Sequence, residues 1–120
     1  MVTRTVNNGN LQLSKDGEVI LSIFEELKND AIYIKVDGIV SADVAHEFED
    51  ELMATVTFCK KITIDLKNVT YISSAGMKVL LSLQKIIDNE NGGYLKLLNL
   101  SAEVFKAFEE IGFDDLFNIE

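Results

Sequence analysis

Apolar and polar residues alternate along several short stretches of this chain and recur at helical spacing in others. Ile32, Ile34 and Val36 alternate with Tyr33, Lys35 and Asp37 and stop at Gly38, the period of a strand with one buried face. Val19 to Phe24 is a second β-rich run, and the polar turn Lys28-Asn29-Asp30 separates the two. Strands so close in sequence are expected to pair antiparallel. Ile62, Ile64 and Leu66 alternate with Thr63 and Asp65 in a third main strand, whose exit from the sheet is expected to begin at Lys67-Asn68, and Val69 to Ile72 runs on to the next corner. Tyr94 to Leu98 makes a fourth. Ahead of all these, the turn cluster Asn7-Asn8-Gly9-Asn10 precedes an alternating Leu11 and Leu13, which reads as a hairpin in the first fourteen residues.

Between the strands the period changes. Val44, Phe48, Leu52 and Val56 recur four apart behind Ser41, a candidate N-cap with Asp43 in the first turn. Val79, Leu80, Leu83, Ile86 and Ile87 form a wide apolar stripe, predicting a helix from Ala75 to Ile87 that ends at Asp88 to Gly93. Ser101 opens a last helix carrying Val104, Phe105, Phe108 and Ile111, with Gly112 at its C-terminal cap. The tail Leu116 to Ile119 either adds a short strand or packs on that helix. Strands alternating with helices predict parallel, right-handed crossovers. The fold class is therefore α/β: one domain over residues 18–120, with a mixed, mostly parallel sheet of four to five strands. Residues 1–17 are an N-terminal extension. The strands at 32–36 and 62–66 are polar on one face, so the helices are expected mainly on the other.

Composition narrows the chemistry. Twenty acidic residues against eleven basic ones give a net charge of −9, which repels nucleic acid and anionic membrane surfaces. No apolar run is long enough to span a bilayer and the N-terminus lacks a signal-peptide core, so a cytoplasmic protein without membrane insertion is expected. Cys59 is the only cysteine and His46 the only histidine. They offer no disulfide or multi-thiolate metal site, and no cofactor motif is present. Cys59 reads as a small buried hydrophobe and His46 as a solvated side chain on an acidic helix. No enzyme is expected.

The corner Tyr71-Ile72-Ser73-Ser74-Ala75-Gly76 joins a strand to the most apolar helix through small residues. Backbone N–H groups at such a helix start lack internal partners and receive a phosphate well. A serine there ordinarily acts as a cap, contributing about 1 kcal/mol. The surrounding pattern adds another reading. Ile64-Asp65-Leu66, then Val69, Tyr71 and Ser73-Ser74-Ala75-Gly76, closely resembles the signature of the STAS domains of anti-sigma factor antagonists. Ser101 to Phe117, with its trailing Gly112-Phe113 and Leu116-Phe117, resembles the last helix of that family. The likeness covers about residues 18–119 and so makes 18–120 a STAS-like domain.

The resemblance implies a partner switch. The unmodified antagonist binds an anti-sigma factor that is a serine kinase, releasing a sigma factor. Phosphorylation of the serine two positions before the glycine, here Ser74, ends binding, and a serine phosphatase resets it. Ser73 is the second candidate acceptor, and Ser73, Ser74, Ala75, Gly76, Met77 and Lys78 form the expected partner-binding surface. Three positions depart from the family: Ser73 where Asp is often found, Ala75 where a second Ser or Thr is often found, and Lys78 where a small residue is frequent. Two rival readings fit the same residues. One is a STAS scaffold subunit of a membrane transport or signalling complex, without phosphorylation. The other is a receiver-like domain phosphorylated on Asp65, which needs Mg²⁺ and an acidic pair for which Glu25 and Glu26 are the candidates.

Overall fold

The computed structural model describes residues 1–120. Four strands come first: β1 (Val2–Asn7), β2 (Asn10–Lys15), β3 (Glu18–Lys28) and β4 (Ala31–Val40). A 3₁₀ turn (Ala42–Val44) leads into α1 (Ala45–Phe58), followed by β5 (Lys61–Ile72), α2 (Ser74–Asp88), β6 (Tyr94–Leu98) and α3 (Ala102–Glu110). A second 3₁₀ turn (Asp114–Leu116) precedes the short β7 (Asn118–Ile119). The strands form one sheet of seven in sequence order, β1 to β7, rather than the four to five expected.

The sheet is mixed as expected, and within residues 18–120 three of its four strand pairings are parallel. β1 to β4 pair antiparallel and β4 to β7 pair parallel, so it divides at β4. Local backbone chemistry makes the antiparallel half. Asn8 (φ 49°) and Gly9 (φ 80°) close one two-residue turn, and Asp16 (φ 54°) and Gly17 (φ 80°) close the next. Both dipeptides tolerate the left-handed backbone that a tight hairpin needs. The boundary expected at residue 17 therefore falls in the turn between β2 and β3, two strands that pair along their length. The parallel half needs crossovers, which α1, α2 and α3 supply.

One cluster of 28 buried residues makes the core. Leu11, Leu13, Leu21, Ile23, Ile34, Val36, Ile62, Ile64 and Leu97 enter it from the sheet, and Phe48, Leu52, Leu80, Leu83, Val104 and Phe108 from the helices. The intervening sheet residues stay outside it: Phe24 and Lys35 are exposed, and Ser22, Tyr33, Thr63 and Lys96 are half-buried. The helices thus cover one face and leave the other open. Phe108 meets Phe117 edge-on with centroids 5.5 Å apart, which closes the core beneath α3. Cys59 is buried and His46 exposed.

Two local expectations change. Ser41 precedes the 3₁₀ turn, and its hydroxyl makes no capping bond. β5 does not leave the sheet at Lys67-Asn68 but continues to Ile72 through two register shifts against β4. These irregularities absorb extra residues and let the strand reach the start of α2 still paired.

Candidate functional site

The corner between β5 and α2 is built from both sides. The Ser73 amide donates to the Val40 carbonyl at 2.8 Å, so the last residue of β4 holds the turn. Ser73 itself is extended (φ −77°, ψ 164°), the backbone of an N-cap. Its Oγ accepts from the Gly76 amide at 3.1 Å, and its carbonyl accepts from Met77 at 2.9 Å. Gly76 lies directly on β4: a Cβ there would stand 2.6 Å from Val40 Cγ1 and 3.1 Å from Ile72 Cγ1. The small residues are present because the helix start packs against strand side chains with no space between.

This arrangement sorts the expected site residues. Ser73 is 7% exposed, Met77 is 3% exposed and Gly76 is buried, so these three support the corner instead of facing a partner. Ser74 and Lys78 are exposed and Ala75 is half-buried. Adjacent serines thus have different environments: one hydroxyl caps the helix and its neighbour reaches solvent on the first turn. Beside Ser74 a groove of about 300 Å³ runs between α1 and α2. Ala45, His46 and Glu49 line it from α1, and Ala75, Lys78, Val79 and Ser82 from α2. His46 Nε2 lies 3.4 Å from Asp50 on the exposed side of α1.

Asp65 has a different role from the one a receiver domain would give it. Its carboxylate accepts from the Tyr33 hydroxyl, from the Lys67 amide at 2.9 Å and from Asn99 Nδ2 at 3.1 Å. Burial alone would raise this carboxyl, yet the three hydrogen bonds outweigh it and hold the group below the ordinary aspartate value. The same contact, aided by burial, pushes the Tyr33 hydroxyl up to about 12. A carboxylate so engaged is a fastener between β4, β5 and the segment after β6. Glu25 and Glu26 make no acidic pair, because they are consecutive in a strand that continues to Lys28 and so point to opposite faces. Glu25 instead accepts from Thr55 of α1. Glu51, one turn before Thr55, takes Arg4 of β1 at 2.9 Å. Tyr33 and Asn99 were not singled out from sequence. The alternation that put Tyr33 and Asp65 on the same open face was the available signal for the first.

The STAS domain family model matches residues 14–120. BtrV of Bordetella bronchiseptica is 34% identical over 85 residues, which span 70% of this chain and 72% of that protein. The anti-sigma-B factor antagonist of Bacillus subtilis is 29% identical over 88 residues, 73% of this chain and 80% of its own. Among solved structures, an anti-sigma factor antagonist from Mycobacterium paratuberculosis superposes with a TM-score of 0.74 at 18% identity, over 82% of this chain and 84% of that one. No helix here is long and apolar enough to cross a membrane. By the match along its length, the chain belongs to the STAS domain family.

Proposed function

We propose that this protein is an anti-sigma factor antagonist controlled by phosphorylation of Ser74. In its unmodified form it binds an anti-sigma factor that is also a serine kinase, and a sigma factor is freed. The kinase transfers the γ-phosphoryl group of ATP to Ser74 Oγ, the hydroxyl proton passes to a base of the kinase, and ADP leaves. A serine phosphatase restores the hydroxyl. The observation carrying this reading is the contrast at the corner: Ser73 is buried and capping, while Ser74 is exposed on the first turn of α2. Of the two adjacent serines, Ser74 is the one whose hydroxyl another protein's active site can reach.

The physical consequences favour a switch that leaves the fold alone. A phosphate at a helix N-terminus meets unpartnered N–H groups and the positive end of the dipole, so the folded chain tolerates it. At a packed interface the same group brings about −1.5 to −2 charges. Desolvating such charge without a partner costs several kcal/mol, and about 4 kcal/mol changes affinity roughly a thousandfold. The net charge of −9 favours a basic protein surface as partner over a polyanion.

The test is phosphorylation and binding with the serine-kinase anti-sigma factors of the same genome. Label should appear on the tryptic peptide holding Ser74. Ser74→Ala should bind without being labelled, and Ser74→Asp should bind far more weakly. Equal affinity for both variants sinks the switch, and stable association without label assigns the chain to a scaffold instead.

A further inference from the structure

The open face of the sheet is largely polar, and it carries an apolar pair at the end nearest Ser74. Ile39 of β4 and Tyr71 of β5 are direct partners in the parallel ladder. Both point away from the core, Ile39 at 42% and Tyr71 at 55% exposed. Val40 and Ile72, the residues that follow them, point inward and are buried. Scattered exposed apolar side chains are ordinary. A paired isoleucine and tyrosine beside a modification site are a surface.

We infer that Ile39 and Tyr71 anchor the kinase that acts on Ser74, filling an apolar pocket next to its active site. The inference rests on the proposed modification of Ser74 and adds where the partner holds on. Tyr71 and Ser74 are three positions apart, so their Cα atoms lie at most about 11 Å apart. An interface of standard size buries about 800 Å² on each partner, so one centred on Ser74 extends over both residues. Tyrosine is enriched among the few residues that carry most of an interface's affinity.

The anchor and the acceptor are also held rigidly together. Val40 receives the Ser73 amide and packs against Gly76, and Ile72 packs against Gly76 from the other strand. No flexible link lies between the apolar pair and the hydroxyl, so little ordering is needed when the partner docks. Asp37, two residues before Ile39 on the same side, is exposed and suits a pocket with a basic rim.

The experiment is steady-state phosphorylation of the intact protein by the purified serine-kinase anti-sigma factors of its genome, with wild type, Tyr71→Thr, Ile39→Thr and Tyr71→Phe. Threonine suits a strand at either position, and both sites are exposed, so unchanged circular dichroism and thermal midpoints are expected. Each threonine variant should raise KM at least about tenfold and leave kcat within about twofold, because the lost contact is remote from the transferred group. Tyr71→Phe should behave like wild type. If wild type is labelled at Ser74 and both threonine variants keep its KM, the anchor is refuted while the switch stands. If no serine kinase labels Ser74, the switch falls and the anchor with it.

Discussion

The Ser73 hydroxyl accepts a hydrogen bond from the Gly76 amide at 3.1 Å, a contact that separates the structural serine of the corner from the exposed one. Replacing Ser73 with Ala should cost about 1 kcal/mol of stability, the usual value of a lost N-cap. Urea denaturation would read the loss as a lower midpoint at unchanged slope. Phosphorylation at Ser74 should persist in this variant. Loss of labelling at unchanged stability would mean that Ser73 itself is the acceptor.

Gly76 gives a second prediction. In an ordinary helix interior, Gly to Ala stabilises by roughly 0.5–1 kcal/mol. Here a new Cβ would lie 2.6 Å from Val40 Cγ1, and Val40 is fully buried, so Gly76→Ala should instead destabilise by about 1–3 kcal/mol. Shortening Val40 to Ala in the same chain should recover part of that loss. A double-mutant cycle measures the recovery, and strict additivity would show that the two residues do not meet.

Gly38 should tolerate replacement even less. Its φ is +118°, and a Cβ would fall 2.2 Å from the Ile20 carbonyl oxygen in the neighbouring strand. Backbone atoms cannot swing aside as a side-chain methyl can. Gly38→Ala should therefore cost more than Gly76→Ala, about 3 kcal/mol or more, with loss of soluble expression or a sharply lowered thermal midpoint as the measurement.

Two carboxyls set opposing pH dependences. Asp65 is held below its ordinary value when folded, so its contribution is complete above the unfolded pKa of about 3.9 and is lost as pH falls through the lower folded value. Asp65→Asn should flatten the acid limb of stability, followed by urea midpoints from about pH 5 down to about pH 2. It should also cost about 1–3 kcal/mol at neutral pH through the broken network. Glu25 behaves the other way. Burial, helped by Glu51 alongside and opposed by the Thr55 hydroxyl, holds it above the usual carboxylate value. Its protonated form is favoured in the folded chain, so its contribution is present below the unfolded pKa and is lost as pH rises through the folded one. Glu25→Gln should thus raise stability at neutral pH and leave the acid limb governed by Asp65.

Much of the architecture could be read from residue patterns alone. The alternation at Ile32, Ile34 and Val36 and at Ile62 and Ile64 marked the central strands and the open face, because one-sided burial imposes a period of two. The stripe from Val79 to Ile87 marked α2 for the corresponding helical reason. The strand count came out low because Asp16-Gly17, a hairpin dipeptide as strong as Asn8-Gly9, sits between two runs that otherwise read as separate pieces. β7 has two residues and no local pattern of its own, since pairing with β6 makes it a strand. At the corner, composition placed the serines together and could not divide their roles. Which hydroxyl caps depends on where β5 ends, and the register shifts against β4 decide that. The same shifts bring Tyr71 beside Ile39, a neighbour relation between strands about thirty residues apart that no local window contains.

The Asp65 fastener has a consequence for where the molecule yields. It joins β4, β5 and the segment after β6, whereas β1, exposed along most of its length, is held by its ladder with β2 and the surface contact from Arg4 to Glu51. Amide hydrogen exchange should therefore be slowest along β5 and quicken toward β1, as loosely tethered edges open first. The serine-bearing turn stands over the strand expected to be most protected, so under the proposed switch the molecule would meet its docking protein as a hard, preformed contour whose message is carried by charge rather than by remodelling.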